Sequence, residues 1–204
     1  MIDAALLPLQ RRMLTPPGRW LAARGVHADH ITLAGFAAGV LAVPALAIGT
    51  YGLSLALLAL NRLADGLDGA VARLSGPTDR GAFLDIALDF VFYALFPLGF
   101  ALADPTTNAL PAAVLIAAFV GTGSSFLAFA SIAAKREEIA IAFPAKGIYY
   151  LGGLTEGFET IAIFAAMCLF PTAFPLLAYG YAAACTLTTI LRWRHGWLAF
   201  SHRK

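Results

Sequence analysis

Apolar residues along this chain come in runs of about twenty, the length a helix needs to cross the hydrocarbon core of a bilayer. Six such runs occupy approximately residues 31–49, 51–72, 82–103, 109–134, 147–170 and 173–191. The gaps between them read "GTYG", "LSGPTDRG", "ADPTTN", "REEIAIAFPAKG" and "FPTAFP". Gly, Pro and polar residues concentrated in this way end helices and reverse the chain. The pattern predicts an all-α integral membrane protein with six transmembrane helices, forming one domain over residues 26–204. No internal repeat, low-complexity tract or soluble domain is visible in it.

Residues 1–25 follow a different pattern. "LLPLQRRMLTPPGRWLAARG" interleaves Leu and Trp with Arg and is broken by a Pro pair. This reads as an N-terminal amphipathic helix lying in the membrane interface and anchoring the chain there. A removable signal peptide is not expected, because no apolar run leads to a small-residue cleavage site.

Composition supports the membrane reading: 60% of residues are hydrophobic and 13% charged, far from the usual soluble balance. Cys168 and Cys185 both lie in apolar runs and read as core thiols rather than a disulfide or metal framework. Charge placement then gives orientation. The gaps near 50, 105 and 172 contain no Lys or Arg, and of the fourteen basic residues only Arg62 lies inside a span. Basic residues favour the cytoplasmic side. Both termini are therefore expected in the cytoplasm, with a bacterial inner membrane as the expected location.

Against this background the stretch "DGLDGAVARLSGPTDRGAFLDIALD", residues 65–89, is anomalous, because it holds five of the chain's twelve acids. Asp65 and Asp68 are three apart near the end of the second span; Asp85 and Asp89 are four apart near the start of the third. Either spacing stacks two side chains on one helix face. A reversal as short as "LSGPT" makes the two helices antiparallel neighbours, so the four carboxylates can converge at the cytoplasmic end. Buried acids are costly in a membrane, and like charges repel. Two divalent cations would balance them, and an all-oxygen donor set suits Mg²⁺ or Mn²⁺ rather than zinc. Two-metal sites hold phosphate oxygens and assist in-line displacement. Gly69 and Ala72 share a face with Asp65 and leave room for a cleft, although small residues in membrane helices also serve close helix packing. Arg73, beside them, can pair with phosphate.

At this point the sequence resembles a known family. D-x2-D-G-x2-A-R, seven residues, then G-x3-D-x3-D, is similar to the signature of the CDP-alcohol phosphotransferases. It is filled by Asp65, Asp68, Gly69, Ala72, Arg73, Gly81, Asp85 and Asp89. Upstream, "ADHITLAG" resembles the family's opening of the first span, with Thr32 and Gly35 matching and Asp29 and Ala28 replacing the usual Asn and Pro. The resemblance implies transfer of a phosphoalcohol group from a CDP-alcohol, such as CDP-diacylglycerol, to an acceptor alcohol, with release of CMP, in phospholipid biosynthesis. It implies metal ligands at Asp65, Asp68, Asp85 and Asp89, with Asp89 also the general base. Donor contacts would come from Gly69, Ala72, Arg73, Thr78, Gly81 and Thr32. On the acceptor side it points to Lys135, Arg136, Glu156 and Glu159. A homodimer is also expected, with the small residues "GTGSS" at 121–125 available for close packing.

Other residues leave alternatives open. Glu156 and Glu159 suit either a polar cleft wall or a hydrogen bond between helices. Asn61, one turn before Asp65, is placed to support the metal site, and Arg62 to pair with an intramembrane carboxylate, Glu156 or Glu159. Two rival readings use the same acids. A membrane prenyltransferase also binds a diphosphate through Asp and Mg²⁺, but usually with two separated aspartate motifs. An ion or proton carrier relays cations through buried acids, but tends to show matching broken halves.

Overall fold

A computed structural model describes residues 2–135 and 153–201, apart from the side chains of residues 2–7 and 9. The described chain is helical throughout: α1 (Ile2–Ala23), α2 (Ala28–Ala47), α3 (Tyr51–Ser75), α4 (Asp79–Ala103), α5 (Pro105–Ala133), α6 (Gly157–Leu169) and α7 (Phe174–Ser201). A short 3₁₀ turn, Pro171–Ala173, leads into α7. Helix boundaries follow local chemistry. Gly76 adopts φ +93°, a conformation strained for any residue with a Cβ, and the adjoining Pro77 cannot continue α3. The next helix starts at once, because the Thr78 hydroxyl accepts the Gly81 N–H at 3.1 Å as an N-cap. Asp104 does the same for α5, accepting the Thr107 N–H at 3.1 Å.

Helices α2, α4, α5 and the segment Pro171–Ser201 are long and apolar enough to cross a membrane. Helix α3 has 25 residues, but Arg62, Asp65, Asp68 and Arg73 fall from its middle onward and lower its hydropathy. The described part of α6 is apolar and 13 residues long. The expected fifth span began at residue 147, so its first part lies outside the described residues. The expected N-terminal segment is helical to Ala23, with Pro8, Pro16 and Pro17 inside the helix.

The helices pack as neighbours α2–α3, α2–α4, α4–α5, α5–α7, α1–α3 and α3–α6. Close approach needs small residues. A Cβ on Gly35 would lie 2.6 Å from the Ala64 Cβ, and one on Gly39 would meet the Phe92 ring at 2.8 Å. The core is an aromatic column: Phe96 stacks on Phe164 at 4.4 Å between centroids, and Phe100 on Phe174 at 4.4 Å. Outward faces carry Leu33, Leu41, Leu53, Leu60, Val120, Leu187 and Ile190, all well exposed. Such a bundle is apolar on both its inside and its outside. The small residues at 121–125 pack within the chain, Gly121 toward Thr189 of α7 and Gly123 toward Phe90 of α4.

Candidate active site

The second half of α3 meets the first half of α4, and the acids of both helices face one cleft. Thr32, Gly35, Phe36, Asn61, Arg62, Asp65, Asp68, Asp85, Leu88, Asp89 and Phe92 line it. Asp65, Asp68 and Asp85 each offer a carboxylate oxygen, and the three oxygens lie within 4.8 Å of one another. Asp68 is buried, Asp65 half-buried and Asp85 exposed, so the cleft opens toward the turn between α3 and α4. Three hard oxygen donors at this separation fit a divalent cation of the Mg²⁺ or Mn²⁺ type.

Neighbouring residues orient these acids. The Thr32 hydroxyl donates to Asp68 Oδ2 at 2.6 Å, which ties the start of α2 to the centre of the site. Asp89 is engaged from the other side: Arg62 Nη2 donates to its Oδ1 at 2.8 Å, while Arg62 Nη1 stands 3.7 Å from Asp65 Oδ2. Arg62 is itself fixed. Its Nε donates to Asn61 Oδ1 at 2.8 Å, and Asn61 Nδ2 donates to the Gly35 carbonyl at 2.9 Å. The guanidinium carbon lies 5.4 Å from the Phe92 ring centroid and 5.9 Å from that of Tyr93.

The expectation that Arg62 pairs with Glu156 or Glu159 is therefore corrected, because the rotation of α3 turns it toward Asp65 and Asp89. Asn61 supports the acids as expected, but does so through Arg62.

The residues expected on the donor side sit around the opening. Arg73 is exposed and Ala72 half-buried. A Cβ on Gly69 would come within 3.3 Å of Arg73 Nη1, so the glycine leaves room for that guanidinium. Gly81 is held close to both Thr78 and Asp29: an added Cβ would be 3.2 Å from Thr78 Oγ1 and from Asp29 Oδ1. Asp29 also pairs with Arg80 Nη2 at 2.5 Å, closing α2 onto α4 beside the opening. No sign of this pair is visible in the sequence, because the two residues are fifty-one positions apart and in different helices.

A second cavity, of about 130 Å³, is also bordered by α4 and is lined by Phe90, Tyr93, Phe119, Thr122, Phe126, Thr155, Glu156, Gly157, Thr160, Cys185 and Arg192. Tyr93 stands between the two spaces, near Arg62 on one side and lining the second cavity on the other. Arg192 Nη1 donates to the Thr122 carbonyl at 3.0 Å. Thr160 Oγ1 donates to the Glu156 carbonyl at 2.8 Å and is 2.8 Å from the Tyr181 hydroxyl. Glu156 and Glu159 form a reciprocal capping box at the start of α6, with Glu159 Oε2 accepting the Glu156 N–H at 3.2 Å. Glu156 is thus both a cavity wall and a helix cap; Glu159 takes the capping role. Lys135 is exposed just beyond α5, and Arg136 lies outside the described residues. Arg192 was not singled out from the sequence, where it reads as one more cytoplasmic basic residue near the end of the last span.

Comparison with known proteins places this geometry. A family model described as CDP-alcohol phosphatidyltransferase matches residues 25–197. The chain is 52% identical over 198 residues to the inner membrane protein YnjF of Escherichia coli (strain K12), covering 97% of this chain and 96% of that protein. It is similar in fold to the phosphatidylinositol phosphate synthase PgsA1 of Mycobacterium tuberculosis solved with CDP-DAG bound, with TM-score 0.67, 24% identity, and coverage of 91% of this chain and 94% of that one. The same synthase in complex with manganese and citrate matches with TM-score 0.66 and 23% identity, over 90% of this chain and 88% of that one.

Proposed function

The chain belongs to the CDP-alcohol phosphatidyltransferase family, and from that premise we propose that it transfers a phosphatidyl group from CDP-diacylglycerol to an acceptor alcohol. The observation that carries this reading is the convergence of Asp65, Asp68 and Asp85, with Asp89 alongside, in one cleft. The related synthase solved with CDP-DAG and, separately, with manganese supports the choice of donor and of cation type. The protein is read as an integral inner-membrane protein, in line with the name of its Escherichia coli relative, and as an enzyme of phospholipid biosynthesis, in line with its family. It has six spans over residues 26–204, an interfacial N-terminal helix, and a cytoplasmic active site.

In the reaction, the acceptor hydroxyl oxygen bonds to the β-phosphorus of the donor while the bond from that phosphorus to the oxygen of CMP breaks. Asp89 accepts the hydroxyl proton; Arg62 occupies its Oδ1 and leaves the other oxygen for that task. Asp65, Asp68 and Asp85 would hold a divalent cation, which would supply charge neutralisation at the diphosphate, as phosphoryl transfer requires. Thr32 keeps Asp68 oriented. Arg73, with Gly69, Ala72, Thr78 and Gly81, borders the donor at the opening.

The acceptor is assigned to the cavity behind Tyr93. Its lining offers hydroxyls from Thr122, Thr155 and Thr160, one carboxylate and one guanidinium, a set suited to hydrogen-bonding a hydroxylated molecule. Incubating the purified protein with CDP-diacylglycerol, Mn²⁺ or Mg²⁺ and a panel of free and phosphorylated polyols tests the assignment by product mass. A new phosphatidyl product formed together with CMP is expected. No product from any acceptor, under conditions where the donor binds, would overturn the reading.

A further inference from the structure

Asp29 brings a fifth carboxylate to the mouth of the cleft, and Arg80 stands on it. Asp29 lies on α2 three residues before Thr32, and it faces Gly81, which lies on α4 four residues before Asp85. Thr32 and Asp85 line the cleft, so Asp29 sits about one helical turn outside it. We infer that Arg80 masks this carboxylate, and that the masking lets the negatively charged diphosphate of the donor enter a cleft that already holds four acids. The inference rests on the reading that a CDP-linked donor binds here.

The two partners are held unequally. The Asp29 side chain is 16% exposed and that of Arg80 77%. Asp29 Oδ2 receives Arg80 Nη2 at 2.5 Å. Its Oδ1 faces the first turn of α4, where a Cβ on Gly81 would come within 3.2 Å of it. Asp29 also belongs to the first turn of α2, so its carboxylate is lodged at two helix N-termini, both of which favour a negative charge. Arg80 reaches it from the solvent side. A pair with one partner this exposed adds little to stability, and its consequence falls instead on the charge at the mouth. The acids whose oxygens cluster in the cleft are Asp65, Asp68 and Asp85. Asp29 stands outside that set, which leaves its charge to Arg80. Without the guanidinium, an unscreened carboxylate would face the incoming diphosphate beside Gly81.

Arg80 thus acts on the donor through Asp29 rather than by touching it, and paired substitutions separate the two possibilities. The test is the affinity of the detergent-solubilised full chain for CDP-diacylglycerol at saturating Mn²⁺, measured by titration calorimetry without acceptor. Arg80→Gln is expected to bind the donor about 3–10-fold more weakly than wild type, the effect of one partly screened charge on a diphosphate. Added NaCl should narrow that gap, because salt screens exposed charges. Asp29→Asn should bind at least as tightly as wild type, and the double variant Asp29→Asn/Arg80→Gln should return to the wild-type affinity. A double variant as weak as Arg80→Gln would show that Arg80 holds the donor itself and would overturn the inference. Weaker binding in Asp29→Asn, or a loss in Arg80→Gln that salt leaves unchanged, would overturn it too. Donor binding by wild type with no difference among the variants would overturn the masking alone. No binding by wild type would overturn the donor assignment and the masking with it.

Discussion

Asp68 has the most completely built surroundings of the four acids. It is buried, clusters with the carboxylates of Asp65 and Asp85, and accepts a 2.6 Å hydrogen bond from Thr32. Removing that donor should loosen the carboxylate without removing it. Thr32→Val is therefore expected to weaken Mn²⁺ binding by about 10–100-fold, the usual effect of losing a partner that orients a metal ligand; titration calorimetry checks it, and an unchanged affinity would dismiss Thr32 as an orienting group. Asp89 separates chemistry from binding. Asp89→Asn should keep donor affinity while turnover at saturating Mn²⁺ falls by roughly 10²–10⁴-fold, the range for loss of a positioned base. Near-normal turnover would take Asp89 out of that role. The acids themselves could be read from the sequence because their meaning lies in local spacing, three and four residues on a helix. The partner of Arg62 could not, because it depends on which way α3 is rotated. That rotation is set by Gly35 against Ala64 and Gly39 against Asn61, contacts between residues far apart in the chain.

At the scale of the elements, the site depends on how closely α2, α3 and α4 approach one another. Gly35 sits at the crossing of α2 and α3, one turn from Thr32 and in hydrogen-bond contact with Asn61. An added methyl there must push the helices apart, at a cost of about 1–3 kcal/mol for overpacking, and should draw Thr32 away from Asp68. Gly35→Ala is expected to lower thermal stability and Mn²⁺ affinity together. Gly180→Ala, where a Cβ would meet nothing within 4 Å, should leave Mn²⁺ affinity unchanged. Equal behaviour of the two variants would contradict the account of the crossing. The hairpin of α3 and α4 was legible as "LSGPTDRG", since Gly76, Pro77 and Thr78 each act on the backbone beside them. The closure of α2 onto α4 by Asp29 and Arg80 was not, because an ion pair between distant helices leaves no periodicity. Glu156 and Glu159 show the same limit: a three-residue spacing fits a cleft wall and a capping box equally, and Glu156 serves as both.

For the molecule as a whole, the apolar exterior and the placement of basic residues lead to an expected orientation in the bilayer. The turns at Thr50 and Ser75 lie at opposite ends of α3 and are both exposed. Single cysteines introduced at these positions should be labelled from opposite sides of the membrane, while Cys168 and Cys185, both buried, react slowly. Labelling of both positions from one side would remove α3 from the membrane and, with it, the cytoplasmic placement of the cleft. The central claim, that this cleft transfers phosphatidyl groups, is tested most directly with CDP-diacylglycerol carrying ³²P at its β-phosphate, supplied with Mn²⁺ and a hydroxylated acceptor. Label should pass into a new phospholipid as unlabelled CMP forms in equal amount, and the transfer should disappear in Asp68→Asn. Label that stays in the donor, or transfer that continues undiminished in a folded Asp68→Asn, would contradict it.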